Sequence, residues 1–231
     1  SAIFLLFVAF CLTILGLSAQ GGIAVSPQTA RTKTEAEGKQ KPEDSKQRPV
    51  AKSKVYLLHS DLLRKDASHP DAQIVTGNVS FRHDSVYMYC DSACYYDKVS
   101  SFEAFGNVKM VQGDTLFLYG DRLYYDGLTQ IAEMRCNVRM ENRTTTLLTD
   151  SLNYDRVYNL GYFFDGGTLM DEQNVLTSEW GEYSPQTKQS VFNYNVKLVN
   201  PQFTLTSDTL RYNTASKIAD IVGPSDIWSD A

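Results

Sequence analysis

Apolar and polar residues alternate with a period of two along most of this chain. Val79 and Phe81 flank Ser80, Val108 and Met110 flank Lys109, and Val138 and Met140 flank Arg139. Val86-Tyr-Met88, Leu116-Phe-Leu118 and Phe203-Thr-Leu205 continue the pattern, and Leu123 and Tyr125 share one face while Arg122, Tyr124 and Asp126 share the other. Such alternation predicts strands with one dry and one wet face. Turn signals separate them: Gln112-Gly113-Asp114, Asp126-Gly127, Gly166-Gly167 and Asn200-Pro201. Outside the N-terminus no long stretch shows an apolar stripe of helical period. The 14 Tyr and 11 Phe agree with an all-β chain.

The pattern repeats. Tyr96, Tyr125, Tyr154, Tyr183 and Tyr212 stand 29 residues apart, and around them recurs a phrase of an acidic or polar residue, then Leu, then Tyr, in clear or weaker copies. Asp121-Arg-Leu123-Tyr-Tyr125, Asp150-Ser-Leu152-Asn-Tyr154 and Asp208-Thr-Leu210-Arg-Tyr212 are the clear copies. Ser92-Ala-Cys94-Tyr-Tyr96 and Glu179-Trp-Gly181-Glu-Tyr183 are weaker, and Asp61-Leu-Leu63-Arg-Lys65 is degenerate. A second phrase keeps step: Gly77-Asn78-Val79, Gly106-Asn107-Val108, Cys136-Asn137-Val138 and Tyr194-Asn195-Val196. A fixed period of this length implies stacked units, not one closed core. Each period holds two strands. The unit is either a two-sheet jellyroll with strands running back and forth or a right-handed parallel β-helix, and periodicity does not separate the two. Either stack ends in unpaired strand edges that invite another copy. Gly223-Pro224-Ser225-Asp226-Ile227 opens one more unit at the end of the chain, which reads as truncation at the C-terminus.

Three regions follow. Residues 1–19 hold an apolar run from Ala2 to Leu17 followed by Ser18-Ala19, which suits a secretory signal, with a retained anchor as the alternative. Residues 20–54 form a polar tether with Pro27, Pro42 and Pro49. It holds eight Lys or Arg against four Asp or Glu, so residues 55–231, the repeat domain, carry −9 where the whole chain carries −5. An acidic repeat domain argues against nucleic acid as a partner. A signal segment places the chain in an exported compartment, the periplasm.

Chemistry is hard to find. His59, His69 and His83 have no metal-ligand spacing, and no Cys-x-x-Cys, phosphate loop or Gly-x-Ser-x-Gly occurs. The repeated acids recur once per unit, whereas catalytic carboxylates come once per site, so they read as structural. We therefore expect no enzyme, metal or cofactor. Cys94 takes the slot that Leu123, Leu152 and Leu210 fill, and a bridge from Cys136 to Cys90 or Cys94 is one option in an oxidising compartment. The tyrosine ladder reads first as aromatic stacking between rungs with hydroxyls at the rim. A sugar-binding strip is the functional alternative. The apolar face either fills a sandwich core or lines an open trough for acyl chains, at about 0.8 kcal/mol per buried methylene.

Gly-Asn-Val-x-Met, then Asp-x-Leu-x-Tyr-Asp about fifteen residues on, at a period near 29, resembles the OstA-like proteins, which belong with the LptA and LptC periplasmic components of lipopolysaccharide transport. Gly106–Asp126, Cys136–Asp155 and Asn195–Asn213 carry the likeness, which covers most of 55–231. The resemblance implies a β-jellyroll, V-shaped in section, whose interior holds lipid A acyl chains. It implies a non-catalytic bridge that stacks head-to-tail with other Lpt-type jellyroll proteins and with the outer-membrane translocon. By position, the lining would be Val79, Phe81, Val108, Met110, Leu116, Leu118, Leu123, Val138, Met140, Leu152, Val196, Leu198, Leu205 and Leu210. Lys65 and Gly181 depart from the pattern and read as caps or partner contacts. The competing functions are a carbohydrate-active or glycan-binding parallel β-helix and a structural or adhesive repeat.

Overall fold

The structure, a computed structural model, describes residues 53–67 and 69–229. The apolar segment and all but the last two residues of the tether lie outside the described residues. Among the described residues no helix is long and apolar enough to cross a membrane.

The described residues form fifteen strands: β1 Tyr56–His59, β2 Leu62–Asp66, β3 His69–His83, β4 Val86–Tyr96, β5 Ser101–Gln112, β6 Leu116–Asp126, β7 Ile131–Asn142, β8 Thr145–Asp155, β9 Leu160–Phe163, β10 Gly167–Met170, β11 Val175–Ser178, β12 Trp180–Tyr183, β13 Gln189–Asn200, β14 Phe203–Asn213 and β15 Ile218–Trp228. Every ladder is antiparallel. The parallel β-helix alternative therefore does not hold: each period is one strand up and one strand down. From β3 to β8 each strand pairs with its neighbours in the chain. Between β8 and β13 the long strands are interrupted. β8 pairs with β9 through its second half and with β10 through its first, and β13 pairs in the same divided way with β12 and β11.

The long strands share a fault at mid-length. The register shifts between Thr76 and Val79, between Phe105 and Val108, between Arg135 and Val138, and between Asn193 and Val196. Each shift falls on an Asn-Val phrase. Asn78, Asn107, Asn137 and Asn195 adopt φ of 48°, 47°, 53° and 53°, the left-handed region that Asn tolerates better than most residues. A bulge adds a residue and bends its strand. Repeated in register, it folds the whole sheet along one line, so that its two halves face each other as a repetitive β-jellyroll. The half holding Phe102, Leu123 and Tyr125 meets the half holding Phe81, Met110 and Leu118. Phe81 and Phe102 stack across the gap with ring centroids 4.1 Å apart.

Gly106 shows why the bend prefers glycine in the purest copies. Its φ is +75°, and a Cβ there would lie 2.5 Å from Asp91 Oδ2. Gly181, which departs from the Leu pattern, has a packing reason: a Cβ there would lie 2.6 Å from Phe163 Cζ. The phenyl ring occupies the space of the missing leucine.

One rung is corrected by one residue. Tyr95, not Tyr96, points into the core with Tyr125, Tyr154, Tyr183 and Tyr212, and Ala93, not Cys94, fills the leucine slot. The acids Asp91 and Asp121 are 30 residues apart because the turn between β5 and β6 has three residues, whereas those after β3 and β7 have two. The tyrosines do not stack on one another either. One strand lies between successive rungs, which places them about 9.6 Å apart at two strand spacings. Phe102 and Ala132 flank Tyr125, and Ala132 and Gly161 flank Tyr154. The bridge from Cys136 is not formed: Cys136 is exposed and Cys90 is buried, and both are thiols.

Candidate functional site

All fourteen residues expected to line an interior lie in one apolar core, each no more than 4 % exposed. Between the faces stand aliphatic, aromatic and methionine side chains, including Met88, Met110, Met134 and Met140. Burial of this kind contributes roughly 25 cal/mol per Å² of apolar surface. The two halves meet closely, so the interior is a packed core in this state.

The core has two long edges of different character. Along the bend the backbone itself is continuous. Acid–Asn pairs brace it: Asn78 Nδ2 donates to Asp61 Oδ2 at 3.0 Å, Asn107 Nδ2 to Asp91 Oδ2 at 2.8 Å and Asn137 Nδ2 to Asp121 Oδ2 at 2.5 Å. Asn195 and Glu179 form the same pair. Asp61, Asp91, Asp121 and Glu179 thus join the two phrases of the repeat, and Asp150 accepts from the Asn137 amide at 3.0 Å.

The opposite edge is a mouth where the hairpin turns of the two halves meet. Here the inward tyrosines reach across. Tyr95 donates to the Val55 carbonyl at 2.7 Å, and Tyr125 shares a 2.7 Å hydrogen bond with His83 Nδ1. Tyr183 donates to Asn142 Oδ1 at 3.3 Å, and Tyr212 bonds Asp171 and accepts from Asn174 Nδ2 at 2.8 Å. At the Tyr154 rung, Asn159 accepts from both Tyr154 and, from the other half, Gln112 Nε2 at 2.8 Å. Cations reinforce the row. Arg156 bonds Tyr125 and His83, Lys188 bonds Asn142, and Lys217 Nζ lies 3.1 Å from Asp171 Oδ2.

Burial controls the ionisation of these groups. It pushes the Tyr125 phenol up to about 12, against the opposing pull of Arg156. Tyr95, Tyr154, Tyr183 and Tyr212 are also raised, chiefly by burial. The hydroxyls therefore remain donors across the physiological range. His83 is held below the ordinary histidine value by burial first and by Arg156 second. Burial raises Asp171, but hydrogen bonds from Tyr212, from the Gln173 and Asn174 amides and from Lys217 outweigh it, and its pKa ends lowered.

The partner row His83, Gln112, Asn142 and Asp171 is absent from the fourteen, yet it recurs every 29 or 30 residues. Its signal lies in the alternation. Phe81-x-His83, Met110-x-Gln112, Met140-x-Asn142 and Leu169-x-Asp171 each put a polar residue on the inward face two places beyond an apolar one. Lys65 stands where the tyrosine of the first unit would be, and it is exposed.

Outside the core, a hollow of about 890 Å³ opens on the outer face near the bend, lined by Lys109, Tyr119, Asp121, Arg139, Asp150 and Asp165 among others. Its cations rest on aromatic rings, with Arg139 Cζ 4.5 Å from the Tyr119 centroid. Among the described residues no three His, Cys, Asp or Glu side chains group to hold a metal.

A family model described as OstA-like protein matches residues 52–208. No curated protein matches the chain. Among solved structures, the crystal structure of LptH, the LptA homologous periplasmic component of the conserved lipopolysaccharide transport device from Pseudomonas aeruginosa, aligns at 12 % identity with a TM-score of 0.46. The alignment covers 49 % of this chain and 93 % of that one.

Proposed function

We propose, because the chain belongs to the OstA-like protein family, that it is a non-catalytic periplasmic carrier whose core takes the acyl chains of lipopolysaccharide on their way to the outer membrane. The observation that supports this reading is the single apolar core, unbroken from Val79 to Leu210 across the array. Four of the chain's five methionines are buried in it. Unbranched thioether side chains adapt to irregular volumes, which suits a core that exchanges its own contacts for those of a guest. A fatty chain needs no polar code, only methylene burial. The fourteen interior residues named from the sequence are the proposed lining.

Partners are other jellyroll proteins, or copies of this chain, added edge to edge. An antiparallel array leaves strand edges whose backbone groups accept a further strand, which is the geometry such an assembly uses.

One observation favours a second reading. The core is closed in this state, as that of a purely structural β array would be. Native mass spectrometry of the chain recovered from a Gram-negative periplasm separates the two. Adducts of lipopolysaccharide mass, lost in Met110→Asp or Leu118→Asp protein that keeps its β circular dichroism, support the carrier. Bare protein with a single sharp thermal transition overturns it in favour of the structural array.

A further inference from the structure

We propose that the edge closed by the tyrosines is a lateral gate, through which an acyl chain enters the core sideways by displacing the hydroxyl clasps one rung at a time. The inference rests on the reading of the core as an acyl-chain site, and it names the side by which that site is reached. Three observations carry it.

The first is the asymmetry of the two long edges. At the bend, each strand passes from one half-sheet to the other through its own backbone, so opening there would require breaking the bulge and its acid–Asn brace. At the mouth, side chains join the halves. Tyr125 meets His83, Tyr183 meets Asn142 and Tyr212 meets Asp171, across 42, 41 and 41 residues of chain. No backbone–backbone hydrogen bond among the described residues spans the gap.

The second is the chemistry of the clasp. A phenol on a buried ring can release its partner and find water at the rim while the ring stays in the core. A leucine or phenylalanine at the same place would close the edge with apolar contact alone. The clasp therefore closes the edge with bonds that water replaces, which holds the cost of opening to that of a few exchanged hydrogen bonds.

The third is polar surplus at the mouth. Gln112 Oε1 and Arg156 Nε are buried there with no hydrogen-bond partner among the described residues. Buried polar atoms are normally satisfied, and an unsatisfied one weakens the closed state relative to an open, hydrated one. Both atoms lie by the Tyr125 and Tyr154 rungs, which places the easiest opening in the middle of the array.

The test uses the full chain and lipopolysaccharide carrying a fluorescent acyl probe. Tyr183→Phe keeps the ring and removes one crossing hydroxyl, and Lys188 still satisfies Asn142. Tyr212→Phe does the same one rung away, and Lys217 still pairs with Asp171. Each change should speed loading about fivefold, the factor that losing one ordinary hydrogen bond implies, with the final load unchanged. Hydrogen exchange should quicken at the mouth segments 140–145 and 183–189 and stay as it is at 105–108. Asn107→Gly, which loosens the bend, should leave the loading rate unchanged. If wild-type protein loads and the phenylalanine variants load at the same rate, the gate is wrong and the carrier stands. The gate is equally overturned if Ile227→Asp on β15, the outermost described strand, slows loading while the phenylalanine variants have no effect, since entry is then along that strand and not through the mouth. If no protein loads, the carrier reading fails, and the gate as an entry for lipid fails with it, whatever the exchange at the mouth shows.

Discussion

Asn107 Nδ2 donates to Asp91 Oδ2 at 2.8 Å, and this bond joins the two phrases of the repeat. Asn107 sits at φ 47° in the bulge of β5, and Asp91 lies on the neighbouring strand. Replacing Asn107 by Val should cost about 2 kcal/mol, because a β-branched residue is strained at positive φ and the bond is lost as well. Asn107→Gly keeps the conformation and loses only the bond, which is solvent-exposed, so the cost should be about 1 kcal/mol or less. Urea unfolding of the two variants measures the difference. Equal losses would show that backbone strain has no part in the preference for Asn.

The sheet and its period were legible because both are periodic signals. Val108 and Met110 alternate around Lys109, and the structure buries the first two. The antiparallel course was not legible, since a hairpin array and a coil give the same alternation and only the ladders distinguish them. The mouth was hidden for a different reason. Gln112 and Asn200 read as turn formers, and a turn former on the inward face has the same sequence signature as one pointing outward. The Tyr95 rung was missed because a three-residue turn at Gly113 shifts the count, and two adjacent tyrosines offered a choice that only packing resolves.

Gly181 provides a test of packing against pattern. Restoring the repeat with Gly181→Leu would place a Cβ 2.6 Å from Phe163 Cζ and 3.1 Å from Phe192 Cδ1. Overpacking of this kind costs typically 1–3 kcal/mol, so the variant should unfold at about that much lower stability. Gly181→Leu combined with Phe163→Ala should recover part of the loss. A double variant no more stable than the sum of the two single changes would mean that the ring is not what excludes leucine.

The cysteines report on the bend. Burial pushes the Cys90 thiol up to about 12, and Cys136 is exposed beside Asn137. Thiolate is the reactive form, so Cys90 should resist alkylation at neutral pH until the chain unfolds. Iodoacetamide followed by peptide mapping should find Cys136 modified in native protein within minutes. Labelling of Cys90 at the same rate would show that the bend opens freely, contrary to a braced edge.

Acid should weaken the protein in two separate windows, the first belonging to His83 and the second shared by Asp171 and Asp97, whose pKa is lowered by Lys54 and then Tyr95. His83 is fully buried and its folded pKa is depressed, by burial and then by Arg156, with Asp84 pulling the other way. An unfolded histidine titrates near 6.5, so below about that pH the unfolded chain binds a proton that the folded one refuses. Stability then falls as pH drops from about 6.5 toward the folded value, at no more than about 1.4 kcal/mol per pH unit for one proton. Asp171 titrates lower. Its folded pKa lies below its unfolded value of about 3.9, so its contribution is complete above that value and is lost as pH falls through the folded one. Denaturant midpoints measured from pH 7.5 to 3 should show the first slope vanish in His83→Gln while the second persists, and the second weaken in Asp171→Asn while the first persists. A wild-type midpoint that stays flat from pH 7 to 5 would place the His83 pKa near its unfolded value and remove the ionic account of that clasp.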